Sequence, residues 1–200
     1  MGLRRETTGK DFQIRVIGVV GQNGSGKDEV LKYLNARYGI PFLSTGDIVR
    51  EIAVKQGIEP TRTNLRELSD RYFKNYGRGH FIRMAVDRIF QNGWKMTGIS
   101  GIRSPEDVAI LRNILGHDFI LIAVTVTNPN VRYGRMIKRG ESRDHNTILQ
   151  FRQQDEDEER LFHITEAMRQ ADYTVSNDGS LTALHHAVNT LVNKKNLLST

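Results

Sequence analysis

The chain contains no cysteine. That absence excludes disulfides, thiolate zinc sites and cysteine nucleophiles, and it suits a cytoplasmic location. No 18-residue apolar run occurs, so no membrane span is expected. The opening Met1-Gly2-Leu3-Arg4-Arg5-Glu6 lacks the apolar core of a signal peptide, and Thr7 is misplaced for a myristoylation pattern with Gly2. The six histidines show no metal-ligand spacing, and the adjacent His185 and His186 must diverge on a helix. There is no internal repeat, low-complexity segment or linker, so one α/β domain with a core of about 12–193 is expected. Acidic residues are outnumbered, 23 against 29 basic, and the net charge of +6 points to anionic partners without separating nucleotides from nucleic acid.

What is present begins with Gly21-Gln22-Asn23-Gly24-Ser25-Gly26-Lys27, a G-x-x-x-x-G-K phosphate-binding loop. The β-branched run Ile14–Val20 precedes it and the amphipathic run Asp28–Arg37 follows. Strand, glycine loop and helix together give this short pattern its specificity. Glycines let successive backbone N–H groups point into one concavity. The helix N-terminus adds about half a positive charge there, and Lys27 supplies a mobile cation for the outer phosphates of a nucleotide.

Asp28 stands where the pattern usually has Ser or Thr to offer Mg2+ a hydroxyl. Two like charges about 4 Å apart cost roughly 4 kcal/mol at an effective dielectric near 20. A divalent cation between carboxylate and phosphate reverses that sign. Asp28 therefore either holds Mg2+ directly or weakens nucleotide binding.

The remaining pattern alternates strand and helix, which predicts a parallel sheet covered on both faces. Strands are expected at 40–44, 94–100, 119–127 and 173–176. Helices are expected at 46–56, 61–75, 80–91, 130–139, 147–169 and 181–193. Ser104-Pro105-Glu106-Asp107 reads as a capped helix start. Residues 1–11 read as a loose lead-in and 141–146 as a polar loop. Ligands of such sheets bind beyond the carboxyl ends of the strands, which directs attention to the segments following each one.

Ser44-Thr45-Gly46-Asp47-Ile48-Val49-Arg50 follows the second strand. A phosphate loop followed by S-T-G-D-x-x-R resembles adenylate kinase and related nucleoside monophosphate kinases. The resemblance implies that Thr45 contacts the acceptor's base or sugar and Arg50 its phosphate. It gives Arg103, in Gly101-Ile102-Arg103, the acceptor phosphate as well, through a bidentate fork. Ser100 replaces the acid these kinases carry before that glycine. Carboxylate at 28 and hydroxyl at 100 look like an exchange of roles, with both assigned to the metal.

Arg132, Arg135 and Arg139 recur at spacings of three and four, hence on one helical face. Converging guanidinium groups suit a transferring phosphoryl group. By resemblance, Arg135 flanks the adenine of ATP, Arg139 holds its outer phosphates, and Arg143 closes from a short lid over about 139–152. A solvated basic helix is the plainer alternative. The acidic run Asp155–Glu159 is expected to be a solvated face balancing those arginines.

Asn177-Asp178-Gly179-Ser180 resembles the segment before the last helix of dephospho-CoA kinase, which implies base contacts for Asn177 and Gly179. The combined motifs are similar to dephospho-CoA-kinase-like and adenylate-kinase-like proteins. That resemblance implies an α/β, three-layer P-loop NTPase fold: a five-stranded parallel sheet, helices on both faces, an acceptor-binding helical insertion at about 45–92, and the lid.

The leading expectation is an ATP- and Mg2+-dependent kinase acting on a nucleoside or deoxynucleoside monophosphate. The catalytic candidates are Lys27, Asp47, Arg103, Arg135 and Arg139. Transfer to a hydroxyl, with Asp47 as base, is the alternative within that class. A nucleotide-gated or nucleic-acid-binding module is the alternative outside it, although no aromatic ladder interleaves the basic residues. Small-molecule nucleotides are the expected partners, with no membrane and no nucleic acid; the oligomeric state is not specified by these motifs.

Overall fold

The structure is a computed structural model that describes residues 14–140 and 147–198, apart from the side chain of Arg139. Five strands form one sheet: β1 (Arg15–Val20), β2 (Phe42–Ser44), β3 (Met96–Ile102), β4 (Phe119–Thr125) and β5 (Tyr173–Ser176). Their spatial order is β2-β3-β1-β4-β5, and every pairing is parallel. The helices are α1 (Lys27–Tyr38), α2 (Thr45–Lys55), α3 (Arg62–Tyr76), α4 (His80–Asn92), α5 (Pro105–Leu115), α6 (Pro129–Arg139), α7 (Ile148–Phe162), α8 (Ile164–Arg169) and α9 (Leu181–Lys194).

The layering follows from strand periodicity. Val16 and Val20 of β1 enter one core cluster, while Ile17 and Val19 enter the other. Leu121 and Ala123 of β4 separate from Ile122 and Val124 in the same way. Strands that are apolar on both faces require helices above and below. α1 and α9 cover one face through Leu31, Leu34, Leu184 and Val188. α2, α4, α5 and α8 cover the other through Ile48, Ile89, Leu111 and Ala167. Each fully buried Leu or Ile contributes roughly 2 kcal/mol, so this core is what holds the loop after β1 against the strand ends.

Two elements depart from the sequence reading. β3 does not stop at Ser100. β1 advances two residues, Gly18 to Val20, while β3 advances three, Ile99 to Ile102. The extra residue is absorbed as a bulge at Gly101, whose φ of +84° favours glycine. The expected single helix over 147–169 is two. It breaks at His163, in the left-handed region with φ 53° and ψ 48°. The break is well supplied with partners. The His163 N–H donates to the Glu159 carbonyl at 2.8 Å. The Glu159 carboxylate then accepts from the Thr165 N–H at 3.0 Å and its hydroxyl at 2.8 Å. Turning there drives Ile164 and Ala167 into the core.

The Ser104 cap forms as expected, with reciprocal bonds between Ser104 and Asp107. Burial pushes the Asp107 carboxyl up, against the Arg103 and Ser104 N–H groups that stabilise its ionised form. The lead-in at 1–11, the polar loop at 141–146 and Arg143 lie outside the described residues.

Candidate active site

The phosphate loop leaves the carboxyl end of β1, the central strand, and ends at the first turn of α1. Gly24 and Gly26 take left-handed φ values of +75° and +91°. Side chains would also collide here: a Cβ on Gly26 would lie 2.4 Å from Asn177 Nδ2. Gly21 sits under the loop, where a Cβ would meet Ser25 Oγ and the Val124 carbonyl at 2.6 Å each. Ser25 is buried, and its N–H donates to the Gln22 carbonyl at 3.1 Å. Lys27 is the first residue of α1, and Asp28 is half-buried in its first turn.

Two further loop groups reach across the fold. The Asn23 carbonyl accepts from Arg132 Nη1 at 3.0 Å. The Asn23 amide donates to Glu158 Oε1 at 2.8 Å. Arg132, on α6, is 2% exposed and ion-pairs with Asp155 of α7. Its guanidinium also lies 5.1 Å from the Phe151 ring centroid. Arg132 is thus a buried support of the loop and does not share a solvated basic face. The acidic run is corrected in the same way, because Asp155 and Glu158 turn inward. Burial alone would raise the Glu158 carboxyl. Arg103, hydrogen bonds from Gln154 and Asn23, and Lys27 together hold it below the usual carboxylate range.

On the far side of the loop stands Asn177, 5% exposed. Its amide donates to the Ser25 carbonyl at 2.8 Å, and its own N–H donates to the Thr125 carbonyl at 2.8 Å. Arg135 Nη2 reaches the carbonyls of Asn177 at 2.8 Å and Gly179 at 3.1 Å. Arg135 Nη1 is buried without a partner among the described residues, a free donor beside this loop. Asp178 accepts from the Ser176 hydroxyl at 2.7 Å and the Thr127 N–H at 2.7 Å, which joins the segments after β4 and β5. Those bonds, the Ser176 one foremost, hold its carboxyl low. The loop, Arg135 and the 177–179 segment are therefore contiguous, although separated by some 150 positions of chain.

The opposite wall is built from α2 and the end of β3. Thr45, the first residue of α2, is buried and donates its hydroxyl to the Gly101 carbonyl at 3.1 Å. Asp47 and Arg50 form an ion pair on the outer face of α2, and the Asp47 side chain is 57% exposed. That face lines a shallow groove of about 470 Å³ with Glu51, Val54 and Lys55. Ser100 is buried within β3, in register with Ser44 of β2. Arg103 follows β3; its N–H donates to Asp107 Oδ2 at 3.0 Å and its guanidinium lies 5.5 Å from the Phe162 ring centroid. Arg139 ends α6.

The site residues that sequence reasoning missed are Asp155 and Glu158, and for Arg132 it missed the role. The only available signal was period: 151, 155 and 158 recur at spacings of four and three, so the buried Phe151 marks their face as inward.

The AAA domain family matches residues 20–152. A UPF0200 protein of Thermococcus gammatolerans is 34% identical over 181 residues, covering 90% of this chain and 94% of the relative. One of Pyrococcus abyssi is 32% identical over 181 residues, covering 90% and 96%. Among solved structures, shikimate kinase from Acinetobacter baumannii in complex with shikimate superposes with a TM-score of 0.58 at 19% identity, covering 93% of this chain and 97% of that one. A gluconokinase from Sinorhizobium meliloti gives 0.55 at 15% identity, covering 96% and 100%. At such identities these structures share the fold with this chain: a five-stranded parallel P-loop sheet with helices on both faces.

Proposed function

Since the chain belongs to the AAA domain family and to the UPF0200 family, we propose that it is an ATP-dependent phosphotransferase acting on a nucleoside or deoxynucleoside monophosphate. The observation that carries this reading is the phosphate loop itself. Two left-handed glycines open onto the head of α1, with Lys27 as its first residue. The charges of Lys27 and Arg103 both help to hold the Glu158 carboxyl low, which supports cations gathered near the loop.

In this reading the amides of Gly24, Gly26 and α1 take the phosphates, and Lys27 follows the transferring group. Arg135 and Gly179 border the adenine. Thr45, Arg50 and Arg103 hold the acceptor, and Arg139 and Arg143 close the lid. Converging cations on a transferring phosphoryl group stabilise the charge spread over its oxygens.

Mg2+ fits the oxygen donors available. Among the described residues no three acidic or histidine side chains gather into a metal cage. Mg2+ is commonly held by one or two protein oxygens plus substrate phosphates, and in this reading the protein oxygens are those of Asp28 and the Ser100 hydroxyl. When bound, it supplies charge neutralisation between phosphate oxygens.

One observation favours a second acceptor class. The Asp47 carboxylate is exposed, and in that case it would act as the base for a hydroxyl acceptor. The shikimate kinase and gluconokinase structures, named for small hydroxylated acceptors, lean the same way.

A screen with γ-labelled ATP tests both. Label should pass to one or more nucleoside monophosphates. Labelling of dephospho-CoA or a hydroxy acid, and of no monophosphate, would replace the first acceptor by the second. No transfer to any small acceptor, with salt-sensitive DNA or RNA binding, would replace the kinase by a nucleic-acid module.

A further inference from the structure

We infer that Arg132 and Asn177 are positioning residues that aim the amides of the phosphate loop, and that Asn177 acts on phosphate and not on the base. The inference rests on the loop gripping a polyphosphate, as in the function proposed above. It goes beyond that function by saying what shapes the grip.

A trans peptide is planar, and its C=O and the following N–H point in opposite directions. Fixing one therefore fixes the other. Arg132 Nη1 holds the Asn23 carbonyl at 3.0 Å, which turns the Gly24 N–H the opposite way. Asn177 Nδ2 holds the Ser25 carbonyl at 2.8 Å, which turns the Gly26 N–H away from it. The amide between them is spent, because the Ser25 N–H is bonded to the Gln22 carbonyl at 3.1 Å. Two pins and one internal bond thus sort the loop amides into two donors left for a ligand and one withheld.

Both pins are themselves braced. Arg132 Nη1 also donates to Asp155 Oδ1 at 3.0 Å, and its burial against Phe151 leaves it little freedom. Asn177 receives Arg135 Nη2 on its side-chain oxygen at 3.3 Å, which fixes the amide orientation so that Nδ2 faces Ser25. Donors fixed before binding need no ordering when the anion arrives, so each adds more to affinity than a mobile donor. The pins come from α6 and from the end of β5, so loop shape is set from both flanks.

Asn177→Leu tests this with little change in size and no added charge. The leucine loses the donor to Ser25 and leaves the charge beside the loop as it was. Calorimetry with tripolyphosphate and with ATP, magnesium present, should show the same loss for both ligands. The expected loss is about tenfold, the worth of one well-formed hydrogen bond. Arg132→Lys should show the same joint loss. A loss for ATP with tripolyphosphate unchanged would overturn the inference for Asn177 and place that residue on the base.

Nuclear magnetic resonance of the unmutated protein decides the point even where a variant fails to fold. On adding tripolyphosphate, the Gly24 and Gly26 amide signals should move and the Ser25 amide should not. Movement of Ser25 in place of the two glycines overturns the inference. Phosphoryl transfer by the unmutated protein, with variants that bind tripolyphosphate normally, would sink the inference and spare the proposed function. Absence of any tripolyphosphate or ATP binding to the unmutated protein would sink both.

Discussion

The side-chain amide of Asn23, in the phosphate loop, donates to the Glu158 carboxylate at 2.8 Å across 135 positions of sequence. Glu158 sits on α7, the helix that follows the polar segment between α6 and α7. The bond therefore ties the loop to the region expected to carry the lid.

That bond predicts a pH dependence. Glu158 is held below its unfolded value of about 4.3 by Arg103, Gln154, Asn23 and Lys27 acting against burial. Ionised Glu158 therefore stabilises the fold above that pH, and the contribution fades as pH falls through the folded value. Glu158→Gln should melt lower than the unmutated protein near neutral pH, and the gap should narrow as pH falls below the ordinary carboxylate range. Circular dichroism melts at several pH values check this. A gap that does not change with pH would show that the charge contributes nothing.

Gly26→Ala should cost about 2 kcal/mol or more, since it combines a left-handed residue with a contact of 2.4 Å to Asn177 Nδ2. Gly134→Ala is the counter-case. Gly134 lies exposed in α6, and a Cβ there would meet nothing within 4 Å. It should gain up to about 1 kcal/mol from helix propensity. Urea unfolding of the two variants should move the midpoint in opposite directions.

Asp155→Asn should destabilise by about 3 kcal/mol, because it strands the Arg132 guanidinium, which is 3% exposed, beside a weaker partner. An exposed pair such as Lys32 with Glu29 should give under about 1 kcal/mol when broken. Similar losses for the two would show that Arg132 is better solvated than its position implies.

Lys27→Met should lower phosphoryl transfer by roughly 10² to 10³-fold or more while the protein still folds. Steady-state kinetics and a thermal melt on the same preparation check this. Retained turnover would remove the loop lysine from the chemistry.

The proposed exchange of roles between positions 28 and 100 is testable by reciprocal substitution. Ser100→Asp alone should weaken magnesium-dependent transfer through like-charge crowding with Asp28. The double change Asp28→Ser, Ser100→Asp should recover it. A double variant no better than the worse single one ends the idea that the two share a metal.

Much of this protein is written locally. The loop Gly21–Lys27 is legible because strand, glycines and helix are contiguous in sequence and each obeys short-range rules. The parallel sheet follows from the two-sided apolar strands, and the α5 start from the Ser104–Asp107 cap. The bulge at Gly101 and the turn at His163 were not legible. A glycine ends a strand as readily as it bulges one, and the bonds that stabilise His163 come from Glu159 and Thr165 in a geometry no period announces. The inward acids were misjudged because a run of charge ordinarily seeks water. Only the docking of α6 and α7 beside the loop gives Asp155 and Glu158 their partners, the buried Arg132 and the half-buried Asn23, that repay their desolvation. The sequence thus determined that a phosphate loop exists and which sheet carries it. The tertiary structure decided how that loop is held, because Arg132, Glu158 and Asn177 act on it from 109, 135 and 152 positions away, distances over which only packing can specify a contact.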